Sequence, residues 1–202
     1  MFKPKGTMIE EASYRVKYKD IFEAKAYYEA LREWIRENGF HDGSPQKFEQ
    51  YENHLHEKIT PGGFKEMIIR WRTQRTPEDS TYFRYHLDLD FLWLGVTNTE
   101  VVRDGVKFKA QKGEVEVTVK AQVELDYEGK WEKHWFLKHV IDIFQKRIFQ
   151  REIIAQHRWE LYRDAYNLQN YIKNWFKMNK YLPYEETKTF FSSKAWPSHA
   201  PK

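Results

Sequence analysis

Apolar and polar residues alternate along four stretches of the chain, 12–18, 65–75, 82–95 and 114–127. A period of two is typical of a β-strand that buries one face and exposes the other. We therefore predict a strand at each stretch. Together they favour an antiparallel sheet that is packed on one side and solvated on the other.

The segment 51–59, YENHLHEKI, fits both helical and strand spacing. We interpret it as a strand, because the TPGGF that follows is a strong turn signal and joins it to the strand at 65–75 as a hairpin. Residues 98–105 are predicted to be connectors around one short strand.

A short helix is predicted after the first strand, at residues 21–38, where apolar side chains recur at helical spacing. Asp20 is a candidate N-cap, because its carboxylate can accept hydrogen bonds from the first free backbone N–H groups. Gly39 is typical of the left-handed residue that ends a helix.

The run from Lys130 to Leu182 contains neither glycine nor proline, and Pro183 ends it. Its spacing fits one long helix, or a long helix followed by a second one. Its apolar stripe comprises Leu137, Val140, Ile141, Phe144, Ile148, Ile154, Leu161, Ala165, Leu168, Ile172 and Trp175. We predict a flexible N-terminus at 1–8, a single domain at 9–182 and an irregular tail at 183–202.

This order of elements predicts an α+β fold: an antiparallel sheet of about five to seven strands packed against a long C-terminal helix, with one N-terminal helix after the first strand. The order resembles the helix-grip or START-like arrangement, in which a curved sheet wraps a C-terminal helix around a cavity. The resemblance implies a ligand-binding interior. The chain departs from it in having one N-terminal helix, where the family often has two, and a longer C-terminal helical region.

Two short patterns, RWR at Arg70–Arg72 and YHLDLDF at Tyr85–Phe91, resemble those of small uncharacterised proteins in archaeal genomes. The resemblance would cover most of the chain, and it implies no activity.

Composition narrows the class of protein. The 202 residues include no cysteine, which excludes disulfides, thiol nucleophiles and thiolate metal sites. The N-terminal residues contain no apolar segment typical of a signal peptide, and no apolar run is long enough to span a membrane. We therefore expect a cytoplasmic protein without a membrane span.

Charge is distributed unevenly along the chain. The formal net charge is +4, but residues 1–129 sum to −3 and residues 130–180 to +6. A partner attracted by charge is therefore expected at the C-terminal helical run. Aromatic residues make up 17% of the chain, so large rings must fill a wide core or line a binding surface.

Three arginines of the C-terminal run fall inside its apolar stripe, since Arg147, Arg151 and Arg158 lie within about 40° of one another on a helix. Such an arginine pairs with an acidic side chain, lies where the helix extends beyond the sheet, or lines a cavity that holds an anionic group. The last interpretation predicts a ligand site whose residues are Arg147, Arg151, Arg158, Trp71, Tyr85 and Phe144.

We therefore predict a binding protein that holds an apolar or amphipathic molecule between sheet and C-terminal helix, with the arginines neutralising any acidic group on it. No local motif for a nucleophile, a phosphate-binding loop, a dinucleotide or a metalloprotease centre is present. This favours binding over catalysis, and no cofactor is predicted.

Two alternatives remain open. Basic residues interleaved with aromatic ones favour an RNA- or ribosome-associated protein. The phosphate contacts would come from Arg70, Arg72 and Arg75 on the predicted polar strand faces, and from Lys138, Lys146 and Arg163 on the helix. An overhanging end of the long helix would instead expose an apolar stripe and join a partner or a second copy; its residues are Leu161, Leu168, Ile172 and Trp175.

The motif H-x-D-x-D places His86, Asp88 and Asp90 on one face of a predicted strand. Two carboxylates and an imidazole fit a weak divalent-metal site. The same alternation puts Arg84 on that face and repeats mixed charges on neighbouring strands. We therefore interpret the motif as a solvated face with cross-strand ion pairs.

Overall fold

The structure is a computed structural model that describes residues 6–41, 51–80, 82–103, 106–129 and 153–178. Its elements follow in the order β1 (Thr7–Phe22), α1 (Ala24–Glu37), β2 (Glu52–Ile59), β3 (Lys65–Arg75), β4 (Phe83–Arg103), β5 (Val106–Leu125) and α2 (Ile153–Trp175). The chain is therefore α+β, with five strands and two helices in the described ranges.

All neighbouring strands pair antiparallel, in the order β1-β5-β4-β3-β2. The strands β2 to β5 form consecutive hairpins, and β1 lies beside the last of them. The apolar positions of β4 and β5 share one face, on which Leu87, Leu89 and Val119 are completely buried. The alternation in the sequence predicted this face correctly.

Helix α2 covers that face. Its residues Leu161, Ala165, Leu168 and Ile172 recur at helical spacing and are completely buried in the core that they share with the strands. The hydroxyl of Tyr14 in β1 donates a hydrogen bond of 2.7 Å to the carbonyl of Ala165. The predicted packing of a C-terminal helix on the apolar side of the sheet is therefore confirmed for residues 153–175.

Helix α1 begins later than the sequence predicted. Strand β1 continues through Asp20 to Phe22, so Asp20 is not an N-cap; Glu23 occupies that position without a side-chain capping bond. Residues 20–22 pair with residues 111–113 of β5. Because this pairing keeps them in the sheet, the local capping signal at Asp20 does not start the helix. The predicted helix end is correct, since Gly39 has a φ of 74°.

The predicted flexible N-terminus overlaps β1, because Thr7 and Met8 already pair with β5. The region 98–105 also differs from its prediction: residues 98–103 continue β4, and β5 begins at Val106.

A bulge explains the length of β4, since Gly95 and Val96 lie opposite the single residue Gly113, between the pairs Leu94–Glu114 and Thr97–Lys112. Gly95 has a φ of 59°, and a Cβ on the facing Gly113 would lie 2.9 Å from the Cα of Val96. Glycine at these positions lets pairing resume beyond the bulge, although a glycine at this point of an alternating pattern indicates the end of a strand.

Candidate functional site

A group of polar side chains lies between the sheet and the first turns of α2. The hydroxyl of Tyr85, on β4, lies 2.6 Å from Nδ1 of His157 and donates to Oε2 of Glu160 at 3.1 Å. The hydroxyl has one proton, so this arrangement requires His157 to carry its proton on Nδ1 and donate it to the phenolic oxygen.

Arg75, the last residue of β3, continues the same group. Its Nη2 contacts Oε1 of Glu160 at 3.0 Å and Oδ2 of Asp164 at 2.6 Å, and its Nη1 donates to the carbonyl of Asn38 at 2.9 Å. The guanidinium also lies 5.2 Å from the ring centre of Tyr85, within cation–π range. We call Arg75, Tyr85, His157, Glu160 and Asp164 the inner polar cluster.

The inner polar cluster is mostly withdrawn from water. Tyr85, His157 and Asp164 are buried, whereas the side chain of Glu160 is 37% exposed and marks the side on which the cluster meets solvent. With a neutral imidazole, one arginine faces two carboxylates, so the cluster has an excess negative charge. Burial, and then the charge of Glu160, raises the pKa of the Tyr85 hydroxyl far above its usual value.

Aromatic rings surround the cluster. The ring of Phe83 lies 4.1 Å from that of His157, and Arg75 lies 4.8 Å from the ring centre of Phe40. A set of convergent polar groups in an aromatic setting is typical of ligand sites, and it offers hydrogen-bond acceptors and a proton-sharing Tyr–His pair.

The residues of the predicted ligand site do not all lie together in the structure. Tyr85 and Trp71 are buried on the inner face as expected, but Tyr85 contributes a hydrogen-bonding hydroxyl and not only an apolar wall. Trp71 belongs to a neighbouring cluster, where its ring packs at 4.9 Å against both Tyr28 of α1 and Phe91 of β4.

Arg158 does not line the interior. Its Nε contacts Oε1 of Glu11 at 2.5 Å, and its side chain is 48% exposed. Glu11 is the extra residue at a bulge of β1, so the arginine pairs with an acidic side chain of the sheet, which is one of the interpretations left open by the sequence. Arg147, Arg151 and Phe144 lie outside the described residues.

The arginines predicted to contact phosphates do not form one surface either. Arg72 pairs with Asp88 at 3.4 Å and with Asp90 at 2.8 Å. Arg75 was predicted on the polar face of its strand, but it lies on the opposite face. It occupies the next alternate position after the buried Trp71 and Thr73, so its side chain points to the same side as theirs. Arg70 and Arg163 are exposed, and Lys138 and Lys146 lie outside the described residues.

The H-x-D-x-D residues lie on the outer face of β4, each beside a charged partner. Nε2 of His86 contacts Oε2 of Glu124 at 2.7 Å, and Arg72 bridges the two aspartates. Burial raises the pKa of Asp88, against the opposing effect of Arg72. Within the described ranges, no three histidine, aspartate or glutamate side chains form a group that could hold a metal ion.

The apolar stripe that the assembly hypothesis needs is mostly internal. Leu161, Leu168 and Ile172 are completely buried under the sheet, and Trp175 is 38% exposed. The helix therefore does not present this stripe to a neighbouring molecule between residues 153 and 175.

Sequence reasoning missed three members of the inner polar cluster, His157, Glu160 and Asp164. Their spacing of three and four residues, on the side of the helix that carries Leu161 and Leu168, was the available signal. The local sequence around His157 does not indicate its partner, because Tyr85 is 72 residues away in the chain.

No protein-family model matches the chain, and no curated protein matches it either. Neither described helix has both the length and the apolar character needed to cross a bilayer.

Proposed function

We propose that the protein binds a small apolar or amphipathic molecule between the sheet and α2, with the inner polar cluster contacting the polar end of that molecule. The observation that carries this proposal is the burial of Tyr85, His157 and Asp164 inside an aromatic core. Buried polar groups cost stability unless they are paired, and an apolar filling of similar shape is often as stable or more stable. Their presence therefore supports a role beyond packing.

The resemblance to helix-grip proteins supports the same function, since their sheet wraps around a C-terminal helix. The chain has a comparable helix over one face of an antiparallel sheet. A ligand would reach the cluster on the partly exposed side of Glu160.

The chemistry of the cluster defines the polar end of the ligand. Arg75 is already neutralised by Glu160 and Asp164, so the described residues favour a hydrogen-bond donor, such as a hydroxyl or an amine, over an acid. The ligand we propose is therefore neutral or weakly basic at its polar end.

Native mass spectrometry of the freshly purified protein tests the proposal, together with melting temperatures across a panel of fatty alcohols, sterols, apolar amines and fatty acids. We expect an adduct above the bare chain mass, and a melting temperature raised by alcohols or amines more than by acids. Recovery of the bare chain alone, with no member of the panel raising the melting temperature, would contradict it.

Tyr85→Phe connects this binding to the cluster, because it removes one hydroxyl and keeps the ring. Loss of one hydrogen bond should weaken retention of the ligand by about fivefold. Tyr171→Phe is the matched control, since its hydroxyl lies on α2 outside the inner polar cluster and makes only a 3.4 Å contact with the carbonyl of Ala30.

A further inference from the structure

Three aromatic residues form a row of contacting rings on the solvent side of α2. The rings of Trp159 and Tyr162 are 5.4 Å apart and nearly parallel, and those of Tyr162 and Tyr166 are 4.4 Å apart and tilted by 40°. Trp159 is 62% exposed, and the two tyrosines are 36% and 37% exposed. We call these three residues the outer aromatic row.

The row lies opposite the buried side of the helix. Setting Trp159 at zero and advancing 100° per residue, the three rings fall within about 60° of one another. On the same wheel, the buried residues lie between about 160° and 240°; they are His157, Leu161, Ala165, Leu168 and Ile172. The rings of Trp159 and Tyr162 therefore contribute little to the core that holds the helix in place, whereas Tyr166 also contacts the ring of Tyr14 on β1 at 6.0 Å.

The same side of the helix carries cations and no carboxylates. Arg163 and Lys173 lie within about 40° of Trp159, among the amides Asn170 and Asn174, and the exposed Lys177 follows just beyond the end of the helix. The two carboxylates of α2, Glu160 and Asp164, turn inward to Arg75. Charge is thus separated across the helix, with acidic groups inside and basic groups outside.

From these features we infer that the outward side of α2 binds single-stranded nucleic acid, with the bases stacking on the outer aromatic row and the phosphates contacting Arg163, Lys173 and Lys177. Stacked, exposed rings beside cations are the chemistry that binds unpaired bases without sequence preference. The row extends about 10 Å along the helix, which accommodates two or three nucleotides.

Other partners fit this side less well. An interfacial membrane helix buries a broad apolar face of tryptophan, phenylalanine and leucine, and this side has no phenylalanine, leucine, isoleucine or valine between Trp159 and Lys177. A basic protein would be repelled by the cations, and a duplex offers its bases only at their edges. The inference is independent of the proposed small-molecule site, which lies on the inner side of the helix.

Fluorescence anisotropy with labelled oligouridylate, at low and rising salt, tests the inference on the full chain. We expect binding whose logarithmic salt dependence has a slope of about 2, as three phosphate contacts predict for a single strand. Trp159→Ala should weaken binding about tenfold or more, while Trp159→Phe, which retains a ring, should weaken it less.

Controls separate this surface from general charge or hydrophobicity. Phe64→Ala removes a ring that is 50% exposed in the β2–β3 turn, and Lys25→Gln removes an exposed cation of α1; both should bind like the parent protein. Arg163→Gln should reduce both affinity and salt slope. Melting temperatures within error of the parent show that each variant folds.

Two results would overturn the inference: no binding of oligouridylate at low salt, or binding that Trp159→Ala leaves unchanged. Binding only to anionic lipid vesicles, lost in Trp159→Ala, would likewise reject nucleic acid in favour of a membrane surface. A failed ligand screen at the inner polar cluster would leave the nucleic-acid result unaffected.

Discussion

Tyr85 shows what alternation reveals about a single residue and what it omits. It occupies one of the alternating apolar positions of β4, which predicted a buried ring, and the residue is completely buried. The partners of its hydroxyl come from α2, and no pattern within β4 indicates them. Arg75 shows the opposite case. It follows Trp71 and Thr73 at alternate positions of β3, which indicates the inner face, but its charge led to a prediction of the outer face.

Replacing Arg75 tests how strongly the inner polar cluster is paired. Arg75→Met leaves Glu160 and Asp164 without their cation, and removing one partner of a buried ion pair is strongly destabilising. We expect a loss of about 2–3 kcal/mol, at the low end of such effects because Glu160 is partly exposed. Urea denaturation measures it.

Arg70→Met is the control for that experiment, since Arg70 is exposed on the same strand. It should change the free energy of unfolding by less than about 0.5 kcal/mol. Equal losses in both variants would contradict a special role for the Arg75 contacts.

Asp88 makes a pH-dependent contribution to stability. Burial raises its pKa above the usual 3.8, so the folded protein binds a proton there more tightly than the unfolded chain does. This contribution is fully present below pH 3.8 and is lost as pH rises through the raised pKa of the folded state. The free energy of unfolding of Asp88→Asn, compared with that of the parent, should therefore be higher at neutral pH than in acid.

Urea denaturation at several pH values measures this difference. Asp126→Asn, in the turn after β5, serves as a carboxylate control at another site. A difference between parent and Asp88→Asn that stays constant from acid to neutral pH would show that Asp88 titrates alike in both states.

At the scale of elements, the β4–β5 pair depends on its bulge. The sequence predicted the strands on each side of Gly95 but interpreted the residues beyond it as connectors. The left-handed Gly95 accommodates the one extra residue of β4, and the side-chain-free Gly113 admits the backbone of Val96. Pairing then continues to residues 103 and 106.

Gly113→Ala should disturb this bulge. The new Cβ would lie 2.9 Å from the Cα of Val96, so the backbone must shift, and overpacking of this kind costs about 1–3 kcal/mol. Thermal unfolding measures the loss. Lys112→Ala, at the exposed neighbouring position, should be nearly neutral, and a comparable loss there would remove the bulge as the explanation.

At the scale of the whole molecule, buried tyrosines couple stability to alkaline pH. Burial raises the pKa of Tyr14, Tyr27 and Tyr85 well above 10.0, and it contributes most to raising the pKa of Tyr28 to about 12. Tyrosines ionise at lower pH in the unfolded chain, so their contribution to stability is present below pH 10.0 and is lost as pH rises further.

We therefore expect the urea midpoint to fall steeply above pH 10.0, with ionisation of these tyrosines appearing together with unfolding in the ultraviolet spectrum. Tyr27→Phe should make the fall shallower. Tyr162→Phe is the matched control, because Tyr162 is exposed on α2; its pKa is raised by the hydrogen bond with Tyr166, and we expect its loss to change the slope less than the loss of the buried Tyr27 hydroxyl. Stepwise ionisation of the tyrosines without unfolding would contradict the coupling.

The sequence by itself determined the α+β class, the antiparallel strands, the inner face of β4 and β5, and the buried side of α2. Each of these follows from a local period of two or of 3.6 residues, set by how a strand or a helix buries one side. Tertiary structure decided where β1 ends, how β4 passes its bulge, and which polar side chains meet. The contacts of Tyr85 with His157 and of Arg75 with Asp164 join residues 72 and 89 positions apart. Such pairs depend on strand register and helix placement, which no local period encodes.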